Sequence, residues 1–136
     1  MGDTKTYRTP LTNADEALAK DVVDAGFHVH AAFGPGLLES VYEHCLALEL
    51  VQRGHSVRRQ VILPVKYRGA DIESGYRLDM LVDERLIVEI KSIREVLPIH
   101  HAQLLTYLRL SKCRIGFLIN FNCLLYRKGI RRFVVE

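Results

Sequence analysis

Cysteine is scarce in this chain and follows no pattern. Cys45, Cys113 and Cys123 are odd in number and none sits in a C-x-x-C spacing. Neither a disulfide framework nor a zinc cluster is indicated, and buried reduced thiols are expected. Long apolar runs are missing too: no stretch approaches the roughly 18 residues of a membrane span. The opening segment lacks the basic-then-apolar order of a signal peptide, so a cytoplasmic protein with no membrane contact is expected. Its first six residues, MGDTKT, fit the loose myristoylation pattern, which is short enough to arise by chance. Repeats and low-complexity tracts are absent, which excludes solenoids and a largely disordered chain. A strong charge of one sign is lacking as well. The net charge of +3 permits contact with a polyanion without arguing for it.

What is present suits one globular domain over residues 1–136, with residues 1–12 expected to be flexible: 49% of residues are hydrophobic and 26% charged, a balance that can close a single core. Asn13-Ala14-Asp15-Glu16 reads as an N-cap followed three residues later by Glu, and Leu18, Val22, Ala25 and Val29 recur at helical spacing. A helix over about 14–32 follows. Gly34-Pro35-Gly36 interrupts it, and Leu37, Leu38, Val41, Cys45 and Leu48 give a second, over about 37–53, before Gly54. Runs rich in β-branched and aromatic residues predict strands at 57–68, 76–82 and 86–92, joined as a meander. Pro98 suits the first turn of a helix running to about Leu110 with Ile99, Ala102, Leu105 and Leu108 facing inward. A strand over 114–121 and a hairpin of 124–127 with 130–135, turned at Lys128-Gly129, complete the order α, α, β, β, β, α, β, β. Strand, helix, strand in succession implies a crossover, so the strand at 114–121 should run parallel to one already in a mixed α/β sheet.

The segment LIVEIKS, residues 86–92, is apolar enough for the centre of that sheet, yet carries Glu89 and Lys91. Side chains alternate along a strand, so Ile87, Glu89 and Lys91 share one face and Leu86, Val88 and Ile90 the other. An ionised group in such a run needs a partner or a bound ion. A solvated face on which Glu and Lys merely pair is the simpler alternative, but both faces hold apolar residues. The preceding strand, YRLDMLV, holds Asp79 in similar surroundings. A two-residue turn at Asp83-Glu84 would set Asp79 opposite Val88, on the wrong face. Val82 opposite Leu86, with three residues between, would bring Asp79 to Glu89, and this odd register is predicted. Two carboxylates held together repel, and a hard divalent cation removes that penalty. Mg²⁺ is commonly held by one or two carboxylates plus phosphate oxygens. A nearby lysine can neutralise charge developing at phosphorus, so these parts suit phosphodiester hydrolysis.

These features resemble a known signature. Asp79 followed by Glu89-Ile90-Lys91 looks like that of the PD-(D/E)XK nucleases, and the element order resembles their restriction endonuclease-like αβββαβ core. The chain would add an N-terminal helix and a C-terminal hairpin. Gly36-x-x-Glu39-x-x-Tyr42 is similar to the pattern naming the GxxExxY family within that superfamily, and GPGLLESVYE, YRLDMLV, LIVEIKS, HAQLLTYL and GFLINF look like its blocks. The resemblance implies that Asp79 and Glu89 bind Mg²⁺ or Mn²⁺, with the Ile90 carbonyl as a further ligand, and that Lys91 is the signature lysine. It implies that Glu39 is an extra metal ligand or a water-orienting acid, although a Glu in a first helical turn satisfies the helix dipole without further function. Gln103 and Tyr107, four apart on one helical face, resemble the Q-x-x-x-Y motif of the exonuclease-like branch; ordinary helix packing is their alternative. Tyr42 is expected to pack and orient Glu39.

The chain also departs from that pattern. Leu78 stands where the signature has Pro, and His28 where the family often has Glu. His28 and His30 lie about 200° apart on a helix and cannot readily share a metal, and His100 is within possible reach of the site. Two functions stay open: a metal-dependent nuclease acting on nucleic acid, DNA ahead of RNA, or a binding or assembly module that keeps the nuclease core without turnover. A homodimer is compatible with either. Arg58, Arg59, Arg127, Lys128, Arg131 and Arg132 are candidates for a phosphate-contacting rim.

Overall fold

The computed structural model describes residues 11–73 and 75–135. Its elements, in chain order, are α1 (Asn13–Phe33), α2 (Glu39–Gln52), β1 (Val57–Ile62), β2 (Val65–Tyr67), β3 (Ala70–Ile72), β4 (Arg77–Val82), β5 (Leu86–Lys91), α3 (Pro98–Ser111), β6 (Ile115–Asn120), α4 (Tyr126–Gly129) and β7 (Ile130–Val134). Five strands form one sheet in the order β1-β4-β5-β6-β7, while β2 and β3 form a separate two-stranded ribbon. β5 and β6 pair in parallel; the other neighbours are antiparallel. The chain thus folds as a mixed α/β sheet flanked by helices, consistent with the restriction endonuclease-like architecture. Among the described residues no helix is long and apolar enough to cross a membrane.

Each face of the sheet has its own core. Met80, Val82, Leu86, Val88 and Ile90 pack against Leu18, Val22, Ala25 and Val29 of α1 and Tyr42, Leu46 and Leu50 of α2. Leu81, Ile87 and Leu118 pack against Leu104 and Leu108 of α3 on the other side. This division is the period-two alternation of a strand buried on both faces.

Several local expectations change. Thr12, not Asn13, caps α1: its Oγ1 accepts from the Asp15 N–H (3.1 Å) and the Asp15 carboxylate accepts from the Thr12 N–H (3.2 Å). With Leu11 packed against the core, residues 11 and 12 are anchored; the rest of the segment expected to be flexible, 1–10, lies outside the described residues. The run 57–68 is two strands, because Leu63-Pro64 ends β1; within β1, Gln60 takes φ 51° without a change of register. On α3 the buried residues are Leu104 and Leu108, while Ile99 and Ala102 are exposed, so only Leu108 of the expected inward set is buried. The expected C-terminal hairpin of 124–127 with 130–135 does not form. Residues 126–129 are the helical turn α4, and β7 pairs with β6 instead. Gly129 lies so close to Asn120 that a Cβ would fall 2.1 Å from its carbonyl oxygen, which is why the chain can fold back there. All three cysteines are free, but only Cys113 is buried.

Candidate active site

The β4–β5 register decides whether the acids meet. Val82 faces Leu86, Leu81 faces Ile87 and Met80 faces Val88, the odd register predicted above. One step further Asp79 stands opposite Glu89, and there side chains take over from the backbone ladder. The Asp79 N–H donates to Glu89 Oε1 at 3.1 Å, and the Ile90 N–H donates to Asp79 Oδ2 at 2.8 Å. Each acid thus caps a backbone donor of the other strand, which holds both carboxyl groups where β4 and β5 part.

Glu89 is 6% exposed and Asp79 half-buried. Burial, followed by the negative charge of Asp79, pushes the Glu89 carboxyl up to about 9, while Lys91 opposes this by attraction. At neutral pH the pair therefore retains a proton unless a cation takes its place. Two hard carboxylate oxygen donors side by side, one of them desolvated, fit a divalent cation such as Mg²⁺ chemically. Among the described residues no group of three or more His, Cys, Asp and Glu side chains is gathered closely enough to hold a metal ion. Glu39 accordingly does not join the pair. It is exposed at the start of α2 and its Oε1 accepts from the Ser92 N–H at 3.2 Å, just beyond Lys91.

Lys91 ends β5 beside Asn120 of β6. Asn120 is buried and knits the following loop: its Oδ1 accepts from the Ile93 and Asn122 N–H groups (3.1 and 3.2 Å), and its Nδ2 donates to the Ile93 carbonyl (3.0 Å). Tyr107 approaches from α3. Its hydroxyl is pushed up first by burial and then by the negative charges of Glu89 and Asp79, which places it in their field. Its ring lies 6.0 Å from that of Tyr76. Gln103 is exposed one turn earlier on the same helix. Tyr42 packs, as expected: fully buried and stacked on Phe121 at 4.5 Å, it donates to the Gly34 carbonyl and accepts from the Leu37 N–H, shaping the loop that leads to Glu39.

Two residues near the pair escaped sequence reasoning. Glu43 is buried, with Oε2 accepting from Arg59 Nε (3.0 Å) and Oε1 from Gln60 Nε2 (2.7 Å). Gln60 Nε2 also lies 3.5 Å from Asp79 Oδ1. The available signal was Glu43 falling one helical turn after Glu39, on the same side of α2.

The histidines stand elsewhere. His30 is buried, its Nε2 2.6 Å from the Cys123 carbonyl; His28 is exposed beside Asp24; His100 Nδ1 accepts from the Leu97 N–H at the start of α3. Three of the six proposed rim cations are committed to acids, Arg58 to Glu84, Arg59 to Glu43 and Arg132 to Glu16.

A family model described as the PD-(D/E)XK nuclease superfamily matches residues 16–133. No curated protein and no solved structure matches the chain significantly.

Proposed function

The chain belongs to the PD-(D/E)XK nuclease superfamily, and from that premise we propose that it is a metal-dependent phosphodiesterase of the GxxExxY type, acting in the cytoplasm on nucleic acid, DNA ahead of RNA. The observation that carries this reading is the meeting of half-buried Asp79 with buried Glu89, whose carboxyl is raised by desolvation and by the charge of Asp79. In this reading both carboxylates hold Mg²⁺ or Mn²⁺ with help from the Ile90 carbonyl, and the cation when bound supplies Lewis-acid stabilisation of phosphoryl oxygens. Lys91 contributes a positive charge that favours the phosphorane-like transition state over the ground state. Tyr107 and Gln103 present a hydroxyl and an amide to a phosphate entering over α3. Glu39, held by the Ser92 N–H, orients water at the end of β5. Burial of Glu89 excludes bulk water from its side of the pair and so strengthens the electrostatic interactions made there.

That no third acid joins the pair among the described residues favours the competing reading, a binding module without turnover. One experiment separates the two: calorimetric titration with Mg²⁺ and Mn²⁺, together with cleavage of labelled single- and double-stranded DNA and RNA, by the wild type, Asp79→Ala and Lys91→Ala. The nuclease reading expects metal-dependent cleavage that falls on the order of 10²-fold or more in both variants, with metal binding lost only in Asp79→Ala. Binding of metal or nucleic acid with no cleavage by the wild type would establish the module.

A further inference from the structure

Gln60 occupies a backbone conformation that glutamine gains nothing from. Its φ of 51° lies in the left-handed region, where glycine, asparagine and aspartate are at ease and a longer side chain is strained. The strain falls at a particular place. β1 and β4 pair as Arg59 with Met80 and Val61 with Leu78, which leaves Gln60 and Asp79 facing each other across an interruption of the ladder. β1 is twisted at the one position opposite the metal-site aspartate. Residues held in sparsely populated conformations collect at functional sites, where neighbouring structure enforces them.

The enforcing structure is visible. Glu43, buried on α2, is neutralised by Arg59 through Nε (3.0 Å) and Nη2 (2.9 Å), and its other oxygen accepts from Gln60 Nε2 at 2.7 Å. That amide is thereby fixed within 3.5 Å of Asp79 Oδ1, a long contact that a small torsion closes. The other oxygen of Asp79 is already held by the Ile90 N–H at 2.8 Å. We infer that Gln60 is a positioning residue of the metal site: anchored by Glu43 and Arg59, its amide sets the orientation of the Asp79 carboxylate so that the acid meets a divalent cation without first losing its freedom. This inference rests on the proposed reading of Asp79 and Glu89 as metal ligands. Outer groups that orient ligating carboxylates typically contribute 10- to 100-fold in metal affinity.

The test uses Gln60→Asn and Gln60→Gly in the full chain. Asparagine and glycine both suit the left-handed backbone, and neither carries an amide far enough to span Glu43 and Asp79. Relief of the left-handed backbone offsets the hydrogen bond lost to Glu43, so thermal unfolding without metal should stay within about 3 °C of the wild type, while Mn²⁺ affinity by calorimetry should fall about 10-fold or more. Wild-type Mn²⁺ affinity in both variants would overturn the positioning role and leave the metal site standing. Weaker binding accompanied by an unfolding temperature lowered by about 10 °C or more, or failure to fold, would make Gln60 a structural residue and overturn the proposal. Absence of Mn²⁺ binding by the wild type would overturn the reading of the site and the inference with it.

Discussion

Glu89 illustrates how one side chain can oppose the fold it belongs to. Desolvation and the charge of Asp79 hold its carboxyl far above its ordinary value of 4.5 in the folded chain. A group so raised contributes fully below its unfolded pKa, and that contribution is lost as pH rises towards the folded value, because the unfolded chain ionises first. At pH 7 without metal, Glu89 is therefore a burden. The amide introduced by Glu89→Gln copies the protonated acid: its oxygen can accept from the Asp79 N–H and its nitrogen can donate to the Asp79 carboxylate. Glu89→Gln should raise metal-free stability at pH 7 by on the order of 1–2 kcal/mol, given about 1.4 kcal/mol per pKa unit and relaxation around the buried pair. The gain should vanish near pH 4, and saturating Mg²⁺ should stabilise the wild type but not the variant. Thermal unfolding at both pH values, with and without Mg²⁺, checks each arm. The acid pair was legible from the sequence because charges in an apolar run demand an explanation. Gln60 and Glu43 were not, because a polar residue on an edge strand or a helix face looks ordinary until its torsion angle and its partners are known.

At the scale of elements, the β4–β5 connection fixes the site's register at a conformational cost. Asp83 and Glu84 take φ values of 51° and 56°, and the Arg85 N–H closes the turn on the Val82 carbonyl at 3.0 Å. Asp83 is retained by contacts, since its oxygens meet the Ser56 N–H at 2.8 Å and His55 Nδ1 at 2.7 Å. Glu84 pairs with Arg58 across an exposed surface, an interaction worth about 0–1 kcal/mol, whereas a left-handed L-residue costs about 1–2 kcal/mol. Glu84→Gly should therefore stabilise the protein by about 0.5–1 kcal/mol in urea unfolding, with cleavage unaffected. The odd register itself could be predicted from the need to bring two acids to one face. The break in the strand expected over 57–68 carried a local mark, since Pro64 falls within it and a proline cannot donate to a sheet ladder, but β-branched residues on both sides made the run look continuous. On α3, Leu104 and Leu105 both fit an apolar stripe, and only the sheet beneath selected the phase that buries Leu104 and Leu108. Residues 124–127 carry strand-like composition but do not form a strand, and α4 begins among them, since the edge of β6 was free to take β7 directly.

Across the whole molecule, a cluster of ions far from the acid pair ties the helical layer to the sheet. Arg53, at the end of α2, reaches Asp21 (2.8 Å) and Asp24 (2.9 Å) of α1, and His55 bridges Asp21 and Asp83 of the β4–β5 turn. Hydrogen bonding to Asp21, then to Asp83, raises His55 against the effect of burial, and the same His55 bond lowers Asp21. The signs are opposite in consequence. His55 stabilises fully below its ordinary 6.5 and loses that contribution as pH rises through its raised folded value, while Asp21 stabilises above 3.8 and loses its contribution as pH falls through its lowered one. The cluster is strongest in between. From about pH 5.5 to about pH 8.5 the wild type should lose about 3 °C more in unfolding midpoint than His55→Gln, measured by scanning calorimetry across that range. By itself the sequence determined the α/β class, the three long helices and the β4–β5 and β6 strands, the superfamily signature and the acids that must be neutralised, because periodicity, turn residues and buried charge are local properties. Only the tertiary structure decided which face of α3 is buried, that Gln60 twists within β1, that Glu39 is held by the Ser92 N–H, and that Gln60 reaches Asp79, because these depend on torsions and on partners 19 to 53 residues away in the chain.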